Sequence, residues 1–324
     1  MSKLTRYKLS DLYEMSSGIS STKEQAGHGY PFVSFSTVFN NFFLPEELPD
    51  LMDTSSEEQE TFSVKKDDVF ITRTSETVDA LAMSCVAVKD YPKATFSGFV
   101  KRLRPKKKGI VYSRYIAFFL RSKYFRKVLD CNTIMTLRAS FNEDIFSFLY
   151  LYLPNYEEQV RIGDFLYKIE MKIRKNNKIN DNLEQQMHLI FENMMSKATT
   201  HKLPGKYTIA QNLTSVVTGK EDANFSVTNG KYKFFTCSNT PLLCDDYVFD
   251  SSSILIAGNG DFNVKHYSGM FNAYQRTYVL TPDKKYFALL YLASLYRINS
   301  FKSRSSGSIV KFITKSDVEN IPVF

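Results

Sequence analysis

The residue types that most often carry catalysis are scattered through this 324-residue sequence. Histidines occur at His28, His188, His201 and His266, and cysteines at Cys85, Cys131, Cys237 and Cys244. No two cysteines have the Cys-x-x-Cys spacing of a zinc site, and four isolated histidines give no support to a metal site or a catalytic triad. We therefore interpret the cysteines as buried, reduced thiols and predict no metal site.

One glycine-rich turn, Gly258-Asn259-Gly260, follows an apolar strand and could cradle a cofactor phosphate. The residues after it, 262–267, begin a helix poorly, and no acid lies where a dinucleotide-binding unit would need one. The sequence also lacks a GxxxxGK[ST] loop, the Asn-Pro-Pro-Tyr/Phe signature of amino-methyltransferases and a convincing cluster of nuclease carboxylates. We expect a chain without catalytic machinery of its own.

Positive charge is concentrated in one stretch of the chain, whose formal net charge is +8. Between Lys101 and Arg138 there are twelve lysines and arginines and one acid, Asp130. Such density suits contacts with phosphates, although a solvated helix face would produce part of it. The candidates for phosphate contact are Lys101, Arg102, Arg104, Lys106, Lys107, Lys108, Arg121, Lys123, Arg126 and Lys127.

A second set of polar side chains could recognise nucleic-acid bases. Arginine pairs with guanine through its forked donors, and asparagine or glutamine pairs with adenine. In the first half of the chain Arg73 follows a strand, between Thr72 and Thr74. In the second half the candidates are Asn259, Asn263, Lys265, His266, Gln275 and Arg276. Each could equally be structural, since Asn259 between two glycines also suits a turn.

The element that would position these candidates is a long helix from Pro154 to about Ala198. Asn155 can cap its start, Glu157 and Glu158 lie in the first turn where the helix dipole favours negative charge, and no proline follows until Pro204. One stripe of residues, the seam, recurs alternately four and three apart: Ile162, Leu166, Ile169, Ile173, Asn176, Asn180, Leu183, Met187, Ile190 and Met194. This spacing is typical of a coiled coil, so we predict that the helix pairs with another helix.

Two features bear on the role of this helix. Asparagine in a seam, as at Asn176 and Asn180, costs stability while it fixes register and partner orientation. About 44 residues at 1.5 Å each give a length of roughly 66 Å, more than the width of a small domain. The alternative is a single amphipathic helix packed on a globular core. We favour a coiled-coil spacer, residues 154–202.

The residues on the two sides of the helix repeat one order of elements. The first side has strands near Phe32 and at 69–74 and 97–104, a helix at 115–129 and a strand at 148–153. The second repeats this order at 232–235, 253–260, 273–280, 287–295 and 317–324. A repeat this long indicates duplicated domains. We predict an α+β protein in which two similar domains, 1–153 and 203–324, are joined by the long helix.

The composition allows two real hydrophobic cores, with 43% hydrophobic and 15% aromatic residues. No run of about 20 apolar residues occurs, and the start Met1-Ser2-Lys3-Leu4-Thr5-Arg6 lacks the apolar core of a signal peptide. We expect a cytoplasmic protein.

Around the start of the helix the sequence resembles the specificity subunit of type I restriction-modification systems. The run Leu153-Pro154-Asn155-Tyr156-Glu157-Glu158-Gln159-Val160-Arg161-Ile162 is similar to the family's strand leading into Pro-x-x-Glu-x-Gln-x-x-Ile and a long helix. The turn at 257–260, followed by Tyr267-Ser268-Gly269, is also typical of the family's target recognition domains. The resemblance covers nearly the whole chain.

The resemblance implies a non-catalytic DNA-recognition subunit with two target recognition domains. It would bind a bipartite double-stranded DNA target and position methyltransferase subunits and, optionally, restriction subunits with motor and nuclease activity. S-adenosylmethionine, ATP and Mg would serve those partners, and no cofactor is implied for this chain. The family has a second long helix, and the sequence stops where that helix should begin, so a truncated or phase-varied form and pairing with a second copy are also considered.

Three functions are therefore weighed. The first is a sequence-reading adaptor for a methyltransferase. The second is a self-contained nuclease or methyltransferase, which methyl transfer by the purified chain alone would reveal. The third is a specificity fragment that acts mainly in subunit assembly and no longer binds DNA productively, for which the missing second helix is the best support.

Overall fold

The chain folds into two compact units, Met1–Lys178 and Ile179–Phe324. The structure, a computed structural model, describes residues 3–20, 22–75, 81–132, 139–199, 205–260, 262–303 and 312–324. The division falls inside one long helix, so that each unit takes part of it. The sequence-based boundaries 1–153, 154–202 and 203–324 stay a prediction. In the described part of the chain no helix has both the length and the apolar composition to cross a membrane.

The first unit is an α+β arrangement of short elements around a four-stranded sheet. In chain order they are β1 (Thr5–Lys8), α1 (Leu9–Leu12), β2 (Tyr13–Ser17), β3 (Ala26–Val33), α2 (Phe35–Asn40), β4 (Asp50–Met52), α3 (Ser56–Thr61), β5 (Val69–Thr72), β6 (Thr74–Ser75), β7 (Ser84–Val86), β8 (Thr95–Phe96), β9 (Val100–Pro105), α4 (Ser113–Phe119), α5 (Lys123–Asn132), β10 (Ala139–Ser140), α6 (Glu143–Phe148) and β11 (Tyr150–Leu153). The sheet has the order β2-β9-β5-β7. A three-stranded sheet, β4-β3-β8, and the pairs β1-β11 and β6-β10 complete the strands.

The central strand β5 is buried on both faces, which explains why residues 69–71 are all apolar. Val69 and Ile71 point into one buried cluster, which α4 and α5 cover, while Phe70 points into another beside β3 and β8. Side chains alternate between the two faces of a strand, so a strand covered on both faces needs apolar residues at every position. The predicted buried strand at 69–74 is thus found as β5, which ends at Thr72.

The long helix α7 (Tyr156–Thr199) follows, and then the second unit, which is built on a six-stranded sheet. Its elements are β12 (Thr208–Ile209), β13 (Val216–Thr218), β14 (Tyr232–Phe235), β15 (Leu242–Cys244), β16 (Phe249–Ala257), β17 (Val264–Ala273), β18 (Thr277–Leu280), α8 (Lys284–Ser303), α9 (Lys315–Glu319) and β19 (Pro322–Val323). The sheet order is β13-β18-β16-β17-β14-β15, and β12 pairs with β19. Ile254 and Ile256 of β16 face the core beneath α8, whereas Leu255 faces the opposite cluster.

Strand registers show that the second unit repeats the first. In one unit β3 pairs in parallel with β8, Val33 opposite Phe96, and in the other β14 pairs in parallel with β17, Phe235 opposite Ala273. The central strands β5 and β16 pair in the same way with β9 and β18. The predicted α+β class, with two similar domains joined by a long helix, is confirmed.

Several predicted elements differ in the structure. The strands expected at 97–104 and 273–280 are interrupted by turns, and the strand expected at 317–324 is the short β19, preceded by the helix α9. The helix expected at 115–129 is two helices, α4 and α5, separated by the turn around Arg121. Arg121 leaves the helical pattern because its guanidinium donates to four backbone carbonyls, those of Ser84, Val38, Phe39 and Asn41, at 2.7–2.9 Å. These bonds come from segments distant in sequence, so helical periodicity alone could not predict the break.

Local signals fix the start of α7. Asn155 caps it as predicted, its side-chain oxygen accepting from the backbone N–H of Glu158 at 2.9 Å. Gln159 is only 1% exposed and holds the helix to the preceding chain. Its amide donates to the carbonyls of Ile110 and Pro154 and accepts from the N–H of Tyr112, at 2.9–3.0 Å. A Cβ at Gly163 would lie 2.7 Å from the backbone nitrogen of Tyr115, so this glycine permits close packing.

The predicted seam is not the face that α7 packs on the first unit. Tyr167 and Met171 pack against the core of the first unit, and Arg174 donates to the carbonyl of Phe43 at 2.9 Å. Of the seam, Ile162, Leu166 and Met187 are half-buried, and the other members are exposed: Ile169, Ile173, Asn176, Asn180, Leu183, Ile190 and Met194. In the second unit Met187 and Phe191 pack on the core beneath α8. Most of the seam is therefore open to solvent.

Candidate nucleic-acid interface

Several chain segments of the first unit meet where β5 ends. The N–H of Arg73 donates to the carbonyl of Phe99 at 2.9 Å, and the carbonyl of Arg73 accepts from Phe141 at 2.8 Å. The N–H of Gly98 donates to the carbonyl of Ile19 at 2.7 Å. We call these five residues the first edge. The exposed side chain of Arg73 lies across it, with one guanidinium nitrogen 3.4 Å from the carbonyl oxygen of Gly98.

The second unit builds the same frame from different residues. The N–H of Gly258 donates to the carbonyl of Arg276 and its carbonyl accepts from Ile313, both at 2.8 Å. The N–H of Gln275 donates to the carbonyl of Glu221 at 3.0 Å. We call these residues the second edge. The side chains of Gln275 and Arg276 are exposed at its turn, so the structure presents two of the predicted base-reading residues together.

Other predicted residues of the second unit lie beside this edge with their side chains engaged. The amide of Asn263 donates to the carbonyl of Cys237 at 2.8 Å, and the ammonium of Lys265 donates to the carbonyl of Thr236 at 3.2 Å. Burial lowers the pKa of Lys265. Asn259 is half-buried and forms a strand bridge with Phe312. These contacts order the loops around Gln275 and Arg276.

His266, Thr72 and Thr74 each contact other parts of their own unit. The His266 ring lies 5.2 Å from that of Tyr291 and 6.4 Å from that of Phe287, both on α8. Thr72 is buried, and its hydroxyl accepts from the N–H of Met83 at 2.9 Å. Thr74 is half-buried in β6, opposite Ser140 of β10.

Much of the predicted basic block is used inside the first unit. Lys101 donates to the hydroxyl of Ser17 at 2.9 Å, and Arg102 donates to the carbonyl of Ser63 at 2.7 Å. Arg104 forms a two-point ion pair with the buried carboxylate of Asp68, at 2.6 and 2.7 Å. The hydrogen bond to Asp68 raises the pKa of Arg104, whereas burial lowers that of Arg102. Lys101 and Arg102, two of the residues predicted to contact phosphates, are thus buried in β9.

Arg121 also has an internal role, and burial lowers its pKa. The residues of the block that stay exposed are Lys106, Lys107, Lys108, Lys123 and Lys127. Lys106 donates to the carbonyl of Ser10 at 2.8 Å. Lys107 and Lys108 line a cleft of about 340 Å³ together with Lys66, Arg114 and Tyr156. This cleft lies at the end of β9 opposite the first edge, about 20 Å away along a six-residue strand.

Sequence reasoning missed one feature of each edge, an exposed phenylalanine. Phe99 is 67% exposed on the first edge, and Phe312, next to Ile313 of the second, is 68% exposed. Charge and amide patterns could not indicate them, because a phenylalanine in a strand-rich sequence normally predicts a core position. Within the described residues no group of histidine, cysteine and carboxylate side chains could hold a metal ion. Cys85 and Cys244 are buried, as predicted, whereas the prediction is wrong for Cys237, which is half-buried. The side chain of Cys131 lies outside the described residues.

Comparisons with known proteins agree with this architecture. The family model for the type I restriction modification DNA specificity domain matches residues 1–185 and 205–323. The chain is 40% identical over 111 residues to the type I restriction enzyme EcoDI specificity subunit of Escherichia coli, a match covering 34% of this chain and 25% of that protein. The chain thus spans about a quarter of the length of this curated relative.

A solved structure shows the same fold. The crystal structure of the type I restriction-modification system S subunit from M. genitalium matches with a TM-score of 0.64 and 14% identity, over 99% of this chain and 84% of that one. The duplicated edges, the long helix and the family model, which covers both units, lead to one conclusion. The chain belongs to the type I restriction modification DNA specificity domain family.

Proposed function

We propose that this chain is the sequence-reading subunit of a type I restriction-modification complex and binds a bipartite double-stranded DNA target. The first edge reads one half of the target and the second edge reads the other. The chain itself performs no chemistry. It positions methyltransferase subunits and, where present, restriction subunits, whose S-adenosylmethionine, ATP and Mg belong to those partners. The cytoplasmic location expected from the sequence belongs to the same proposal.

One observation carries the proposal. The two edges have the same backbone hydrogen bonds but present different exposed side chains, Arg73 and Phe99 on one and Gln275 and Arg276 on the other. A recognition frame needs such a division, because backbone bonds fix the geometry while the exposed groups choose the bases. Phosphate contacts are assigned to Lys106, Lys107, Lys108 and Lys123, which stay exposed.

The seam of α7 is the proposed surface for protein partners. Ile169 and Ile173 before the two seam asparagines, and Leu183 and Ile190 after them, are exposed apolar side chains. Exposed apolar residues that recur along one helix face mark an interaction surface. The partners are methyltransferase subunits or a second copy of the chain. Light scattering should show self-association or assembly with a methyltransferase subunit. A well-behaved monomer at micromolar concentration that also ignores the methyltransferase subunit would contradict this assignment.

We further propose that α7 sets the separation of the two half-targets. Deleting one heptad, residues 176–182, shortens the helix by about 10 Å and keeps the seam in phase. The unspecified gap in the target should shrink by up to about 3 base pairs, while both half-sequences stay the same. Sequencing of methylated DNA from cells that carry the deletion tests this. Intact activity with an unchanged gap would show that the helix does not set the spacing.

The central experiment compares DNA binding and methylation with and without the methyltransferase subunit. We expect a gel shift of target DNA by the complex, methyl transfer only when that subunit is present, and no methylation, cleavage or ATP hydrolysis by the chain alone. Turnover by the chain alone, after contaminants are excluded, would support a self-contained enzyme. Assembly with the methyltransferase subunit without specific DNA binding would support the specificity fragment that acts only in assembly.

A further inference from the structure

Phe99 stands on a short turn that is held by several hydrogen bonds. The N–H of Val100 donates to the carbonyl of Ser97 at 2.9 Å, and the N–H of Phe99 donates to the hydroxyl of Ser97 at 3.2 Å. The carbonyl of Phe99 accepts from Arg73 at 2.9 Å. A Cβ at Gly98 would lie 2.9 Å from the carbonyl oxygen of Ile19, so the turn is also packed closely from the side. The ring is therefore exposed on a firmly held backbone.

Exposure of a single phenylalanine is common and would not by itself indicate a function. The position of Phe99 is what distinguishes it. It is the first-edge counterpart of Arg276, because each accepts the hydrogen bond from the residue that follows the central strand. The second edge carries its own exposed phenylalanine at a different position, since Phe312 is the counterpart of Ser140. Each edge thus combines an exposed guanidinium with an exposed phenyl ring.

We propose that Phe99 acts as an apolar wedge that inserts at a base step of the half-target read by the first edge. This inference rests on the proposed function. Proteins that unstack DNA use exposed phenylalanine or aliphatic side chains for this purpose, and the wedge must not yield when it meets the bases. The hydrogen-bonded turn of Phe99 meets that requirement. Arg73 lies beside it and contacts the phosphate or base edge of the same step.

The test uses the full chain with its methyltransferase subunit and a duplex carrying the target found by methylation sequencing. 2-Aminopurine, which fluoresces more strongly when unstacked, replaces the adenines of the target and its flanks one at a time. The unsubstituted complex should raise the fluorescence at one step in the first half-target. Phe99→Ala should abolish that rise and weaken binding about tenfold, while Phe99→Leu, which keeps an apolar wedge, should retain most of both.

Phe148→Ala, which changes another exposed phenylalanine of the first unit, is the control and should change neither reading. Phe99→Ala with unchanged affinity and fluorescence would overturn the wedge but leave the proposed function intact. A contact with a thymine methyl group would also overturn the wedge. It would be shown if replacing thymine with uracil weakened binding as much as Phe99→Ala does, while the unsubstituted complex gave no fluorescence change. If the unsubstituted complex bound no duplex specifically, the proposed function would fail first.

Discussion

The two units build one backbone frame but fill it with different side chains. Where the central strand begins in the first unit, the buried carboxylate of Asp68 pairs with Arg104 at 2.6 Å. At the equivalent positions of the second unit, the hydroxyls of Ser253 and Thr281 lie 3.0 Å apart. An ion pair and a neutral hydrogen bond thus occupy the same place. The strand register does not depend on either, because the backbone bonds hold it.

The edges show the same contrast at the surface. Arg73 occupies the position that Gly258 has in the second unit, and Phe99 occupies that of Arg276. The backbone bonds at these positions agree within 0.1 Å, at 2.9 and 2.8 Å. A Cβ at Gly258 would lie 2.7 Å from the carbonyl oxygen of Arg276, so this position of the second unit has no room for a side chain like that of Arg73. The comparison teaches that the frame tolerates exchange of charge and polarity where the side chain is exposed, as at Phe99 and Arg276. Such tolerance is what a recognition module requires if its target is to change while its fold stays the same.

The largest expected effect tests the buried ion pair. Arg104→Thr leaves the buried Asp68 carboxylate without its charged partner and with the backbone N–H of Lys65 as its remaining donor, and it should cost about 3 kcal/mol of unfolding free energy. The double change to Asp68→Ser with Arg104→Thr copies the hydroxyl pair of the second unit and should recover most of that loss. Denaturant unfolding followed by amide hydrogen exchange measures the first unit separately. Equal losses in the single and double variants would show that the two pairs are not interchangeable.

The next effect tests two glycines at equivalent close approaches. A Cβ at Gly219 would lie 1.9 Å from the carbonyl oxygen of Ala273, and one at Gly18 would lie 2.2 Å from that of Phe96. Because both clashes are with backbone, each glycine-to-alanine change should cost about 3 kcal/mol. Increased hydrogen exchange should stay within the unit that carries the change. Lys220→Ala, at the exposed neighbour of Gly219, is the control and should have little effect.

A smaller effect separates the two recognition edges. Gln275→Ala or Arg276→Ala should cost about 2 kcal/mol of binding free energy and relax only the half-sequence read by the second edge. Arg73→Ala should do the same for the other half. Affinities for duplexes altered in one half-target at a time give the measurement. If Arg73→Ala instead reduced sequence selectivity in the half-target assigned to the second edge, the assignment of one half-target to each edge would be wrong.

The smallest effect on selectivity comes from the lysines of the first unit. Replacing Lys106, Lys107 and Lys108 together by alanine should weaken binding to all sequences about equally, because phosphate contacts carry no base information. The slope of log binding constant against log salt concentration should become less steep by up to about one unit per lysine replaced. Titrations at several salt concentrations measure that slope. An unchanged slope would remove this tract, which lies at the far end of β9 from the first edge, from the interface.

Local signals allowed much of the fold to be predicted. The proline-free stretch after Asn155, with acids in the first turn, marks where α7 begins, because capping and dipole effects act within one helical turn. The apolar run at 69–71 predicts a buried strand, because this pattern is also contained within a few neighbouring residues. The order of such segments, repeated on both sides of the helix, indicates the duplication. Gln275 and Arg276 were proposed from residue type and position alone, and the structure leaves both side chains exposed.

The sequence by itself thus determined most of the elements and their repetition, and it suggested side chains that could contact DNA. Only the tertiary structure decided which charges remain available. The basic block includes Arg102, Arg104 and Arg121 by composition. Their N–H groups nevertheless donate to backbone carbonyls distant in sequence and to the Asp68 carboxylate. Charge is a property of a residue, whereas burial depends on what the fold packs against it. Because burial depends on the fold, the sequence did not indicate that Gln159 links α7 to the first unit. For the same reason Phe99 is exposed, although its residue type predicts a core position.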